Sequence, residues 1–229
     1  MPRGRKPTDP DSSRRDDVLR AAVDLFSTNP YEDISVDDLC KRAGVSHGLL
    51  SYYFGGKRGL FAAAVRQAWE EMVAWEKPRP EETTPAERVH GYVRRHFEYV
   101  VRYPERFEAL MRTGHADKEV NALAMAAREH ALVEIKASLG CPEHPSPRLR
   151  AAIWGWVGYM DHLALDWLQN RDLDINYITD LCVQALVFSV REANDVRFDD
   201  SELERLNLVI GPASDVPSAG RPESTTLAG

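Results

Sequence analysis

The chain has 229 residues, 43% apolar and 28% charged, with 14 glycines, 14 prolines and three cysteines, a composition that supports one large or two small folded domains. Its longest apolar stretch, Ala151 to Met160, is half the length of the roughly 20 residues that span a bilayer, which excludes a transmembrane helix. The excess of 36 Asp and Glu over 29 Lys and Arg gives a net charge of -7, at first sight unfavourable for a partner as negative as nucleic acid.

Charge is unevenly distributed. Residues 1–60 carry ten basic and nine acidic side chains, so the surplus of negative charge belongs wholly to the remainder. At the tip, Arg3, Arg5 and Lys6 precede any acid. This start lacks the apolar segment of a secretory signal, so the expected location is the cytoplasm. Cys40, Cys141 and Cys182 are odd in number and far apart, which fits reduced thiols rather than a disulfide framework or a CxxC site.

Helical spacing dominates, and β-type alternation is missing nearly everywhere. A first helix is expected over about 13–27, where Val18, Ala22, Leu25 and Phe26 share a face, and it stops at Asn29 and Pro30. Ser35 begins a short second helix, since Ser-Val-Asp-Asp is a capping box with Asp in place of Glu. Gly44 is the expected left-handed stop after Ala43. Ser46 caps a third helix ending near Phe54, and a fourth follows Gly55 and Gly56, from about Lys57 to Trp75. After the proline-rich EKPRPEETTP come helices at about 85–102, 104–114, 117–139, 147–170 and 175–193. The last 19 residues have too few apolar side chains to offset their ordering entropy.

Two short helices separated by Gly-Val-Ser, with Leu39, Ala43, Val45, Leu50 and Tyr53 able to hold them on the first helix, have the pattern of a helix-turn-helix. Cys40 fits as a small packing residue where the helices cross. Rotation by about 100° per residue from a buried Leu50 turns Gly48 and Tyr52 outward, flanked by Leu49 and Ser51. A surface helix that offers Gly, Leu and Tyr to water is unusual. In a major groove, Gly48 permits close approach, Leu49 can touch a thymine methyl and Tyr52 can reach a base edge or sugar. Lys57 and the Tyr53 hydroxyl are placed for phosphates.

The run ISVDDLCKRAGVSHGLLSYYFGGKRGLF resembles the DNA-binding domain of the TetR (tetracycline-repressor) family of bacterial transcription regulators. Ser35, Val36, Ala43, Gly44, Val45, Ser46, Gly48, Leu50, Tyr53, Phe54, Lys57 and Leu60 stand where that pattern has them. The resemblance implies DNA contacts from His47, Gly48, Leu49, Tyr52, Tyr53 and Lys57, and the cap residues Ser35 and Ser46 join this candidate set. Three departures stand out: Ser51 for the usual tyrosine, Cys40 for the usual alanine, and the Gly55-Gly56 pair, which makes a pliant link. The Arg3-Gly4-Arg5 tip resembles an AT-hook, whose arginines lie in an A·T-rich minor groove.

The expected architecture is all-α: a basic flexible arm (1–12), an N-terminal three-helix helix-turn-helix domain (13–56), a larger helical ligand-binding and dimerisation domain (57–193) and a C-terminal tail (194–229). The helix at 147–170 carries apolar side chains on two stripes, Ile153, Trp156, Met160 and Trp167 against Trp154, Val157, Leu165 and Leu168. The last helix repeats this with Leu181, Cys182, Ala185, Leu186, Phe188 and Val190. Two copies of these helices could bury the excess as a four-helix bundle in a homodimer suited to a palindromic operator. The resemblance implies the same dimer and a small-molecule inducer, for which Tyr92, His96, Met111, His115, Trp154, Asp161 and His162 are the candidate residues. No cofactor, metal or membrane partner is expected. The rival readings are a metal-dependent helical enzyme and a non-DNA-binding adaptor. The enzyme finds only one Glu-x-x-His, Glu87 to His90, and an Asp161-His162 pair followed by Asp166.

Overall fold

In a computed structural model, the structure describes residues 10–113, 118–139, 141 and 143–193. The described residues form nine α-helices and one turn of 3-10 helix, with no strand among them. The first, α1, runs Pro10–Thr28, three residues earlier than the apolar spacing indicates. Proline suits the first turn of a helix, where its missing N–H costs nothing. Arg3, Arg5, His115 and the tail 194–229 lie outside the described residues.

The next helices begin and end on the expected residues. In α2 (Val36–Ala43) the Ser35 hydroxyl accepts from the Asp38 N–H at 3.1 Å and the Asp38 carboxylate accepts from the Ser35 N–H at 2.9 Å, closing the capping box. Gly44 ends α2 with φ +66°, and Ser46 starts α3 (His47–Phe54) by accepting from the Leu49 N–H at 3.2 Å. The one-turn 3-10 helix Tyr31–Asp33 escapes a reading based on apolar period. It sets Tyr31 against Phe61, ring centroids 4.7 Å apart, and Phe61 in turn meets Phe26 at 4.9 Å. Val18, Ala22, Leu39, Cys40, Leu50 and Leu60 fill the rest of this small core.

Gly55 and Gly56 are less a loose link than a built turn. Gly56 sits at φ +113°, ψ -169°, a backbone region open in practice only to glycine. The chain then enters α4 (Lys57–Glu76), where a Cβ on Gly59 would lie 1.8 Å from the Phe54 carbonyl oxygen. The end of α3 therefore rests directly on the first turn of α4.

α4 is shared by two regions. Its first half packs on α1 and α3, and its second half packs on α5 (Pro85–Arg102) and α7 (Lys118–Ser138). Between these lies α6 (Pro104–Thr113), which also packs on α1. Arg106 of α6 reaches Asp24 of α1 at 2.9 Å and Glu71 of α4 at 2.8 Å, pinning the three helices together. Last come α8 (Pro147–Asn170) and α9 (Ile175–Ala193), which pack on each other and through α9 on α5. The Trp156 indole N–H donates to the Cys182 carbonyl across them at 2.8 Å. All three cysteines are free thiols, and burial raises the pKa of Cys40 and Cys182.

The apolar excess on α8 and α9 is smaller than their sequences indicate. Ile153, Trp156, Val157, Met160, Trp167, Leu168, Cys182, Leu186 and Val190 are all covered within the chain. What remains outside is Trp154, Tyr159, Tyr177 and Phe188, the last 64% exposed. Gly155 and Gly158 have open space where a Cβ would project.

Candidate functional site

Two places concentrate chemistry, one on α3 and one inside the larger helical region. On α3, Leu50 is completely buried while Tyr52 is 77% exposed, with Ser46, His47, Gly48 and Ser51 also exposed and Leu49 and Tyr53 half-buried. The outward face is therefore the one that helical rotation from Leu50 gives. Ser35 and Ser46 hold the starts of α2 and α3 through hydroxyls that accept backbone N–H groups. The Ser35 hydroxyl and N–H hold the Asp38 carboxyl below its ordinary range.

Two expected DNA contacts already have partners in the chain. The His47 ring Nε2 lies 2.5 Å from the carboxylate of Asp37, and both groups are exposed. The Lys57 ammonium lies 4.1 Å above the ring of Tyr31 and the residue is half-buried, so it must swing off this ring to meet a phosphate. The 3-10 turn that supplies Tyr31 could not be read from the spacing of apolar residues.

The second place is a cavity of about 20 Å³, the volume of about one water, enclosed by α4, α5, α7 and α8. Trp69, Met72, Glu76, Tyr92, His96, Arg128, Met160 and Asp161 are among the residues that line it. His96 Nδ1 and Glu76 Oε1 are 2.8 Å apart, with both side chains buried. Tyr92 hydrogen-bonds to Glu76, and its hydroxyl is pushed well up, first by burial and then by that neighbouring carboxylate. Arg128 donates to Asp161 at 3.3 Å. Burial raises the Asp161 carboxyl against the pull of His96 and Arg128, and Glu76 adds to the rise. Two buried polar atoms on the lining residues, Trp69 Nε1 and His96 Nε2, have no hydrogen-bond partner among the described residues.

Of the seven residues the sequence puts forward for a ligand, the cavity brings together Tyr92, His96 and Asp161. Met111 packs at the edge of the core and does not line the cavity. Trp154 stands on the outer face of α8, 40% exposed. His162 is exposed as well, its Nδ1–H donating to the Gly158 carbonyl at 2.8 Å. These two fall outside the cavity because α8 turns its other side inward. Trp69, Glu76 and Arg128 escaped the sequence reading. Glu76 carried a signal, for it extends the stripe Val65, Trp69, Met72 at helical spacing, and an acid on an apolar stripe needs a buried partner.

The Glu87 and His90 pair has ordinary structural work. Glu87 closes the capping box of α5 by accepting from the Thr84 N–H at 3.0 Å, and His90 lies 3.3 Å from Asp180 of α9. Among the described residues no three His, Cys, Asp or Glu side chains gather as metal ligands would. No described helix is long and apolar enough to cross a membrane.

Comparison with known proteins matches both regions. Residues 18–64 fit the profile of bacterial regulatory proteins of the tetR family, and residues 85–189 that of the tetracyclin repressor-like C-terminal domain. The HTH-type transcriptional regulator RutR of Escherichia coli K12 is 31% identical over 94 residues, 41% of this chain and 44% of RutR. The HTH-type transcriptional regulator BetI 1 of Chromohalobacter salexigens is 41% identical over 54 residues, 24% of this chain and 27% of BetI 1. The matched stretch is thus less than half the length of either relative. A tetR-family transcriptional regulator from Streptomyces coelicolor superposes with a TM-score of 0.70 at 26% identity, over 85% of this chain and 87% of that one. FadR of Bacillus subtilis, solved in complex with stearoyl-CoA, shares the fold with a TM-score of 0.59 at 19% identity, over 76% of this chain and 97% of its own. With both of its helical regions matched and the capped helix-turn-helix in place, the chain belongs to the tetR family of bacterial regulatory proteins.

Proposed function

We propose that the protein is a ligand-responsive, sequence-specific DNA-binding regulator of transcription, a cytoplasmic repressor that holds a palindromic operator as a homodimer. The observation that carries this reading is the outer face of α3. A tyrosine 77% exposed, beside an exposed glycine and a half-buried leucine, sits on a helix fixed at both ends by its caps. Such a face loses apolar contact with water only when something covers it, and a major groove accepts a helix of this width. His47, Gly48, Leu49 and Tyr52 read bases, while Tyr53 and Lys57 hold phosphates. The residues ahead of α1, with Arg3 and Arg5, act as an arm to the minor groove, those from α1 to Gly56 as the reading domain and 57–193 as the ligand and dimer domain, followed by the tail 194–229.

The exposed Trp154, Tyr159, Tyr177 and Phe188 on α8 and α9 support a two-fold interface through these helices. The cavity beside Glu76 supports an inducer site, because α4 runs from there to the Gly56 turn below α3. An inducer that weakens DNA binding must bind less tightly to the DNA-bound form. The test is selection of bound duplexes from a random pool, with sedimentation of the free protein. Enrichment of two inverted half-sites by a dimer supports the reading. A monomer that enriches no sequence at physiological salt ends it.

A further inference from the structure

The chemistry of the cavity narrows what can occupy it. Glu76 and Asp161 are two carboxylates, 4% and 6% exposed, that share the cavity with a single guanidinium, that of Arg128, itself a quarter exposed. Asp161 has one hydrogen bond among the described residues, from Arg128, and at 3.3 Å it is long for a carboxylate taken out of water. His96, which lines the cavity, directs Nδ1 to Glu76, and its Nε2 is left buried without a partner among the described residues, a lone-pair acceptor when the ring carries one proton. Trp69 Nε1 can only donate. With one proton on the His96 ring, at Nδ1, the residues lining the site offer two under-used acceptors, one unused donor and one more carboxylate than guanidinium, beside the rings of Trp69 and Tyr92 and the thioethers of Met72 and Met160.

We propose that this cavity binds a small organic cation, a protonated amine that also carries a hydrogen-bond-accepting oxygen. The inference rests on the reading of the cavity as the inducer site and adds the chemical class. The ammonium gives N–H groups to Asp161 and to His96 Nε2 and balances the second carboxylate. The oxygen accepts from Trp69 Nε1–H. An anionic ligand would add a third negative charge to a buried pair, and a neutral one would leave the excess unbalanced. Entry requires the cavity to widen. Two unbranched methionines in its wall repack readily, and Arg128 can turn to solvent.

The test uses the full-length protein without DNA and a matched set of probes: 2-amino-1-phenylethanol, phenethylamine, 1-phenylethane-1,2-diol and mandelate. Calorimetry and melting should rank the amino alcohol first and phenethylamine second. The diol should bind at least tenfold more weakly than the amino alcohol, and mandelate should give no shift. Asp161→Asn should melt no lower than the parent, since burial disfavours its charge, yet lose the preference for amine over diol. Equal or tighter binding of mandelate or the diol, retention of amine preference in Asp161→Asn, or no response to either amine overturns the proposal. Because binding is read without DNA, amines that bind as ranked but fail to release an operator leave the ligand class standing and count against the regulatory reading instead.

Discussion

The outer face of α3 and the cavity beside Glu76 are built in opposite ways. The first is contiguous: within residues 35–59, two serine caps, one carboxylate and three glycines fix every turn, and what α3 displays follows from where Leu50 is buried. The second is assembled from four helices, with His96 meeting a glutamate 20 positions away and Asp161 an arginine 33 positions away. A contiguous site is preserved by local geometry and fails through its turns. An assembled site is preserved by buried pairing and fails when one partner is removed.

That contrast can be broken experimentally. The largest effect is expected from His96→Ala, which removes the buried partner of the Glu76 carboxylate and leaves the Tyr92 hydroxyl as its hydrogen bond; loss of a buried partner costs about 3–5 kcal/mol, read by denaturant unfolding. A loss under 1 kcal/mol would show that the cavity is already solvated. Next is Gly59→Ala. Its methyl meets the Phe54 carbonyl, so α3 must lift from α4 at a cost of about 1–3 kcal/mol, with operator affinity lost as well. Unchanged stability would mean that the two helices are not in firm contact.

Tyr52→Ala is expected to weaken operator binding about tenfold, near 1.4 kcal/mol, with no change in unfolding or in oligomeric state, because the side chain is almost free of the fold. If its melting falls as far as that of His96→Ala, the tyrosine is structural. The smallest effect belongs to Glu87→Gln. Hydrogen bonds from the Thr84 and Thr83 backbone hold the Glu87 carboxyl below its usual 4.5. A lowered carboxyl stabilises the fold above that pH and loses its contribution as pH falls through the depressed value. Parent and variant should therefore differ slightly at pH 7 and converge as pH falls below the depressed value, in melting temperatures followed by circular dichroism. A difference independent of pH would remove the charge from the explanation.

Much of the helix-turn-helix was legible because its signals are local. Ser35 and Asp38, Ser46 and Gly44 each act within four residues, so their roles can be named before any fold is known. Even there the chain hid two things. Gly59 looks like an ordinary helical glycine until the Phe54 carbonyl is beside it, and Lys57 looks free for a phosphate until Tyr31 is brought under it. In the larger region, helix spans such as Pro85–Arg102 and Pro147–Asn170 could be read from proline starts and apolar period. Which face of α8 would be inward could not. Trp154 and Trp156 are equally apolar, and only the position of α9 covers one and leaves the other at the surface.

Residue order alone thus fixes the run of helices, the caps of α2 and α3, the helix-turn-helix and the side of α3 that faces out, since each depends on hydrogen bonds and periodicity within a few residues. Tertiary structure decided that Glu76, His96, Arg128 and Asp161 share one cavity, and that Trp154 and His162 do not. The pairing of buried charges depends on how helices far apart in the chain are packed, and residue spacing along one helix carries no information about the helix that will lie across from it.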